Sequence, residues 1–324
     1  MYYIIVNPAS KSGQGAKIWE KIRPILEQRK ITYKVLFSQE AGHVIRLTAD
    51  LSASLLNTNS DFILKLIVLG GDGTLNEALQ GISDFARVQI GYIPTGSSND
   101  MARDLKLSPN PSEVLENILS CEKPLLMDLG CLTYEQVSSQ LSRQHSNDLM
   151  LTRFFSVSSG IGFDAAVCEE ALASKFKNVL NKIGLGKLTY LIIALKQLIQ
   201  AKKVTCTITL DDEQQIYLPK FLFVACMIHQ YEGGGFKFCP GADPCDGLID
   251  VCAVGNIPKW LILLALPTAF EGKHYRFNGI DHYAAHKIHL ETSMPLWVHT
   301  DGEVTMKCNS ITLTCEQKKL QFLL

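Results

Sequence analysis

What this 324-residue sequence lacks narrows the possibilities quickly. Its ten cysteines are scattered singly, with no Cys-x-x-Cys pair and no tight framework. That spacing argues against a disulfide-built secreted domain and for free thiols in a reducing compartment. The chain enters Tyr2-Tyr3-Ile4-Ile5-Val6 at once, with no signal-like segment, so the expectation is a cytoplasmic protein. No uninterrupted apolar run approaches the length of a membrane span. The longest, Leu188 to Ile199 and Trp260 to Leu266, carry Lys196 or stop at Pro267. A net charge of −1 leaves no excess of cations for a generic polyanion binder, and no nucleic-acid partner is expected. Internal repeats and low-complexity segments are absent too. What is present is 47% apolar residues, enough for a sizeable interior, in a length that suggests two domains.

The most informative stretch is Gly70-Gly71-Asp72-Gly73-Thr74, set directly after the apolar run Ile67-Val68-Leu69. Its glycines let the backbone turn sharply and approach a ligand with no Cβ in the way. Leu75 to Leu79 then reads as the start of a helix. Amides there favour phosphate, and the Asp72 carboxylate favours the Mg²⁺ that travels with a nucleoside triphosphate. Pro94-Thr95-Gly96-Ser97-Ser98-Asn99-Asp100 follows a second apolar run, Ile90 to Ile93, and repeats the recipe. Ser98 or Asn99 would also cap a helix over Met101-Ala102-Arg103, and both readings can hold. Two such loops, each after a strand, point to a nucleotide site.

Up to about residue 125 strands alternate with helices: 3–6, 16–28, 33–37, 43–56, 63–69, 74–81 and 88–93. That alternation predicts a mostly parallel sheet covered on both faces, with ligands beyond the carboxyl ends of its strands. Residues 131–150 are polar and read as an exposed hairpin loop. After them β-rich runs dominate: 153–158, 204–210, 221–228, 247–254, 287–291, 296–300 and 310–315. Such a series predicts a sandwich or barrel, interrupted by helical stretches at 163–202 and 258–273.

Six pieces now fall in a fixed order: Asn7-Pro8, Gly70 to Thr74, Pro94 to Arg103, Asp128-Leu129-Gly130, Gly160-Ile161-Gly162-Phe163-Asp164-Ala165 and Asp301-Gly302-Glu303. In that order they resemble the bacterial diacylglycerol kinases, which belong with sphingosine and ceramide kinases to one lipid kinase superfamily. The resemblance implies an α/β amino-terminal domain like that of phosphofructokinase and NAD kinase over 1–125. It implies a carboxy-terminal β-sandwich with helical insertions over 126–324, its last residues free to return to the first domain, and ATP in the cleft between them. The implied activity is ATP- and Mg²⁺-dependent phosphorylation of the hydroxyl of diacylglycerol or a related lipid alcohol, in phospholipid metabolism. The enzyme would be cytoplasmic, peripheral at the inner face of the membrane, and a homodimer. Ser97 departs from the family's usual Thr but keeps the hydroxyl, and Phe155-Ser156-Val157-Ser158 lacks the Asn common before Gly-x-Gly.

The resemblance carries roles onto these positions. Gly70, Gly71, Gly73 and Thr74 would contact phosphates; Thr95, Gly96, Ser97, Asn99 and Asp100 form a second wall. Asn7, Ser10 and Lys11 lie in the first strand-to-loop turn, and Ser38 follows the second strand. Asp72, Asp100 and Asp128 would order Mg²⁺. Asp301 is the expected base for the acceptor hydroxyl, ahead of Asp72, with Glu303 near the nucleotide. Phosphoryl transfer needs mainly positioning and charge neutralisation, plus one carboxylate for the proton. By itself, Asp301-Gly302 is also a strong hairpin signal. Asp243, Asp246 and the Leu248 carbonyl resemble the family's second, structural Mg²⁺ site.

Two features stand outside the motifs. His282, His286 and His289 have no acidic or thiol partner close in sequence and read as surface histidines. Lys175 to Lys203 holds seven lysines and no acidic residue, beside the apolar Leu188 to Leu195. That combination suits an anionic bilayer surface. The alternatives to a lipid kinase are an enzyme phosphorylating NAD, which shares the Gly-Gly-Asp-Gly-Thr loop, and a nucleotide- or lipid-binding regulator without catalysis.

Overall fold

Ile4-Ile5-Val6 and Leu66 to Leu69 are consecutive apolar residues, the pattern of parallel strands covered on both faces, and all seven are fully buried. In the computed structural model, which describes residues 1–54, 62–135, 152–173, 186–202 and 204–324, they lie in β1 (Tyr2–Val6) and β3 (Leu64–Gly70). Side chains of 172–173 and 186–192 are not described. β1 pairs in parallel with β2 (Tyr33–Phe37) and β3, and β3 with β4 (Val88–Pro94). Trp19, Ile22 and Leu26 of α1 (Ser10–Gln28) and Val114, Leu115 and Ile118 of α5 (Pro111–Ser120) share a core with Ile4, Val6, Ile67 and Ile93. α2 (His43–Ser54) packs on α3 (Asp72–Gln80), and α4 (Asp100–Asp104) follows β4.

Residues 1–129, 244–246 and 316–324 form the first compact unit, and 130–243 with 247–315 the second. The last segment completes the first sheet, because Gln321–Leu323 of β13 (Glu303–Leu323) pairs in parallel with Gln89–Gly91 of β4.

The second unit is antiparallel. β9 (Gln214–Met227) pairs with β7 (Ser158–Gly162), β8 (Val204–Leu210) and β10 (Ile249–Gly255), and β12 (Lys287–Thr300) with β7, β8 and β13. β5 (Leu125–Tyr134) pairs with β6 (Thr152–Phe155), and β11 (Ile280–Ala285) with β10. Successive strand residues face opposite sides, so β9 serves two cores. Val224 and Cys226 join Ile208, Val251, Ile288 and Ile311 in the larger one. Phe223, Ala225 and Met227 join Cys252, Val254 and Ala265 in the other, beneath α8 (Lys259–Thr268). α6 (Phe163–Ala173) and α7 (Gly186–Gln200) supply the helical insertion.

Several sequence expectations shift. Residues 131–134 belong to β5 rather than to a loop, while 136–151 lie outside the described residues. The runs 287–291 and 296–300 are one strand, joined through a register shift between Glu291 and Leu296. That irregularity accommodates Pro295, which has no N–H to give a regular ladder.

Candidate active site

The glycine loops occupy the carboxyl ends of β3 and β4, as expected for a parallel α/β sheet. They touch backbone to backbone: a Cβ on Gly96 would lie 2.6 Å from Gly71 Cα and 2.7 Å from Asn99 Oδ1. Gly70 is equally confined, its would-be Cβ falling 2.4 Å from the Thr74 side chain. Thr95 N donates to Gly70 O at 2.7 Å and ties the loops together. Asn99, in the left-handed region at φ 51°, folds back so that its Oδ1 accepts from Gly96 N at 2.9 Å. A Gly96→Ala substitution cannot be absorbed by a flexible side chain here, since Gly71 main chain is in the way. For a nucleotide-phosphate site at these loops, the expected result is a more than tenfold rise in the KM for nucleotide, of the order of 2 kcal/mol, measured by steady-state kinetics.

Around these loops the hydroxyls converge. Asn7, at the end of β1, donates from Nδ2 to Thr74 Oγ1 at 3.0 Å, and Ser10 Oγ lies 2.7 Å from Thr95 Oγ1. Lys11 is exposed, in a run of left-handed residues with Ser12 and Gly13 (φ 44°, 58° and 91°). Ser38, buried at the end of β2, donates from its N–H to Val6 O. Ser97 is exposed on its loop, and Gly73 lies in the first turn of α3.

Asp72 opens α3, where the helix start favours its negative charge. Its Oδ2 accepts from Asp100 N at 3.3 Å, and Tyr92 OH lies 3.4 Å from its Oδ1. Two carboxylates, one half-buried and one buried, thus open two adjacent helices. Hard oxygen donors so placed, beside amides suited to phosphate, fit Mg²⁺ carried with a triphosphate. Asp128 is buried in the same unit: its N–H donates to Pro244 O and its Oδ1 accepts from Lys318 N, both at 2.7 Å. Asp243 and Asp246 are exposed on the 240–248 loop, and Leu248 is half-buried.

In the second unit Asp301 and Gly302 form the turn between β12 and β13, with φ 50° and 81°. This is the two-residue hairpin geometry that Asp-Gly favours. The Asp301 carboxylate accepts from Ser156 N, Val157 N and Ser158 N at 2.9, 2.8 and 3.0 Å, and from Ser156 Oγ at 3.2 Å. The segment that departs from the family pattern is therefore the one whose amides grip Asp301. Glu303 pairs with Thr300 across the turn.

Behind the turn lies a group that no sequence motif brings together. Buried His299 Nε2 stands 3.2 Å from both Asp164 Oδ2 and Glu232 Oε1. Gly160 leaves room for them: its Cβ would fall 1.9 Å from Asp164 Oδ2. Burial pulls the imidazole pKa down, but Glu232, Asp164 and Asp301 outweigh it and push it up to about 9. Gly302 N faces Nδ1 at 3.2 Å, a bond that forms only when that nitrogen has no proton. The carboxylates decide the state below about pH 9. The ion pairs therefore stabilise fully below the unfolded histidine value of 6.5, and fade as pH rises through about 9. Stability should fall by about 1–3 kcal/mol across that window, the Gly302 bond offsetting part of the loss. Thermal unfolding against pH, compared with His299→Gln, checks this. The distant sequence positions of the three residues hid them, although Asp164 and His299 lie in or beside motifs already singled out.

Among the described residues, two groups have metal-ligand chemistry: this one, and Cys239, Asp250 and His282. In each the imidazole already pairs with a carboxylate, His282 Nε2 with Asp250 Oδ1 at 2.5 Å. His286 and His289 reach Gly247 O and Thr312 Oγ1. The lysines at 175, 177, 182 and 203 lie outside the described residues, and the side chain of Lys187 is not described. Lys196 pairs with Glu170 of α6, so a neighbouring helix provides the carboxylate missing from its own segment.

Comparison with known proteins gives a consistent result. The diacylglycerol kinase catalytic domain model matches residues 1–131, and the YegS C-terminal NAD kinase beta sandwich-like domain model matches 156–323. A Bacillus subtilis protein named "Putative lipid kinase YtlR" is 28% identical over 310 residues, 94% of this chain and 93% of its own. A Mycobacterium tuberculosis diacylglycerol kinase is 25% identical, covering 92% of this chain and 87% of its own. A diacylglycerol kinase crystal structure from Bacillus anthracis superposes with a TM-score of 0.67 at 20% identity, over 99% of this chain and 96% of that one.

Proposed function

The chain belongs to the diacylglycerol kinase family and is a lipid kinase, and from that premise we propose that it transfers the terminal phosphoryl group of ATP, with Mg²⁺, to the hydroxyl of diacylglycerol or a related lipid alcohol. The observation that carries the reading is the closed contact of the two glycine loops, with Asp72 bonded to the first amide of α4. That surface offers bare main chain and a carboxylate pair, which is what a Mg²⁺-triphosphate requires. Gly70, Gly71, Gly73 and Gly96 would approach the phosphates. Thr74, Thr95, Ser10 and Asn7 would hold them by hydroxyl and amide, with Lys11, Ser38, Ser97, Asn99 and Glu303 around the nucleotide. Asp72, Asp100 and Asp128 would hold Mg²⁺, which supplies charge neutralisation; Asp243, Asp246 and the Leu248 carbonyl would hold a structural one.

The acceptor oxygen forms its bond to the γ-phosphorus as the bond to the β–γ bridging oxygen breaks, releasing ADP. Asp301 takes the proton. Of its four hydrogen bonds described above, that from Ser156 Oγ is the longest, and a lipid hydroxyl can replace it without moving main chain. Peripheral work at the inner membrane face fits such a substrate. Among the described residues, no helix is long and apolar enough to cross a membrane.

The test is a panel of lipid alcohols in mixed micelles with Mg²⁺-ATP. Phosphorylated diacylglycerol is the expected product. A panel left wholly unphosphorylated would overturn the reading, and NADP formation in a parallel assay would replace it.

A further inference from the structure

Five of the eleven large apolar side chains left exposed among the described residues gather around one short helix. On α8, Trp260, Leu263 and Leu264 are 63%, 43% and 56% exposed, and Phe270 just beyond it is 51% exposed. Their spacing places 260, 263, 264 and Pro267 on one helical face. The opposite face carries Ile262 and Ala265, both buried, Ala265 against the core under β9 and β10, with Ala269 buried just past the helix end. A helix apolar on both sides, with only one side covered among the described residues, presents an apolar face that a partner would cover.

The surroundings indicate what covers it. Lys259 Nζ donates to Ile199 O and Ala201 O at 2.9 and 2.8 Å, bringing the end of α7, with Ile199 77% exposed, beside the start of α8. Lys259 and exposed Lys202 stand at that end. At the other, Lys237 N and Lys273 N donate to Ala269 O and Thr268 O, and Lys273 pairs with Glu271. An apolar stripe with tryptophan at one end and lysines at both ends has the chemistry of a helix lying in a bilayer interface, apolar face down and cations among anionic headgroups. Of the apolar run 188–195, side chains are described only from Ile193, which is buried, with Ala194 and Leu195 half-buried.

We propose that the outer face of α8, extended by Ile199 and Phe270, is the surface by which this protein docks on an anionic lipid bilayer. The inference rests on the lipid-kinase reading for its choice of a bilayer over a protein partner. It is tested apart from it, with vesicles of phosphatidylglycerol and phosphatidylcholine that contain neither lipid alcohol nor ATP. The native chain should co-sediment with them, less so without phosphatidylglycerol, and Trp260 emission should shift to the blue. The double substitution W260E and L264E should weaken vesicle binding more than about tenfold. It should leave the melting temperature unchanged, and turnover of a short-chain, water-soluble diacylglycerol within about twofold. Unchanged vesicle binding by the variant would overturn the proposal. So would a native dimer that these substitutions dissociate without any vesicle binding, because the face would then join two copies of the chain. Vesicle binding abolished by the substitutions, with no lipid alcohol phosphorylated by the native chain, would uphold the surface and remove the enzymatic reading instead.

Discussion

Replacing Asp72 by Asn should lower kcat roughly a thousandfold while the protein stays folded. The position is half-buried at the start of α3, and its described partners, Asp100 N and Tyr92 OH, lie at 3.3 and 3.4 Å. An amide oxygen can keep one of those long bonds, and losing the charge at the helix start costs about 0.3–1 kcal/mol. What disappears is the charge that would hold Mg²⁺ beside the phosphates. Circular dichroism should show a melting temperature lowered by no more than a few degrees, and single-turnover assays should show slow chemistry with nucleotide binding reduced much less. Retained kcat would remove Asp72 from the reaction.

Asp301→Asn should do more and differently. The carboxylate accepts three main-chain N–H groups, so an amide NH₂ in place of one oxygen would face N–H donors and repel them. A stability loss of about 3 kcal/mol is expected from that alone. If Asp301 is the base, as proposed, its loss should cost a further hundredfold or more in kcat. Ser156→Ala separates the effects. It removes only the 3.2 Å hydroxyl bond and leaves the three amides in place, so stability should change little and kcat should stay within about tenfold. If Asp301→Asn melts early yet turns over normally, the residue is a clamp for its loop, and the proton goes elsewhere.

The glycine loops were legible because their constraint is local. Thr74 beside Gly70 and Asn99 beside Gly96 forbid a Cβ from within four residues, although Gly96 also meets the distant Gly71 main chain, and such turns leave a mark in composition. The parallel strands were legible because burial on both faces makes them uniformly apolar. Where one face meets solvent and the residues are polar, as at Gln214–Lys220 and Ile280–Ala285, strands passed unnoticed. Pro295 hid the continuity of β12 for a related reason, since a bulge is a pairing event and leaves no trace in one strand's sequence. The His299 group could not be read at all. Asp164 and Glu232 stand 135 and 67 positions away, and only the sheet brings the three side chains together.

The end of β13 has a consequence for dissecting the molecule. Gln321 and Gln89 are neighbours in one sheet although 232 positions separate them along the polypeptide. Residues 1–125 cut out by themselves would bare the flank of β4 as an unsatisfied row of amides and carbonyls, free to recruit a strand from any other molecule. A fragment excised on the assumption that nucleotide recognition is a separable module should therefore aggregate. Restoring solubility would take a linker that brings 316–324 back alongside.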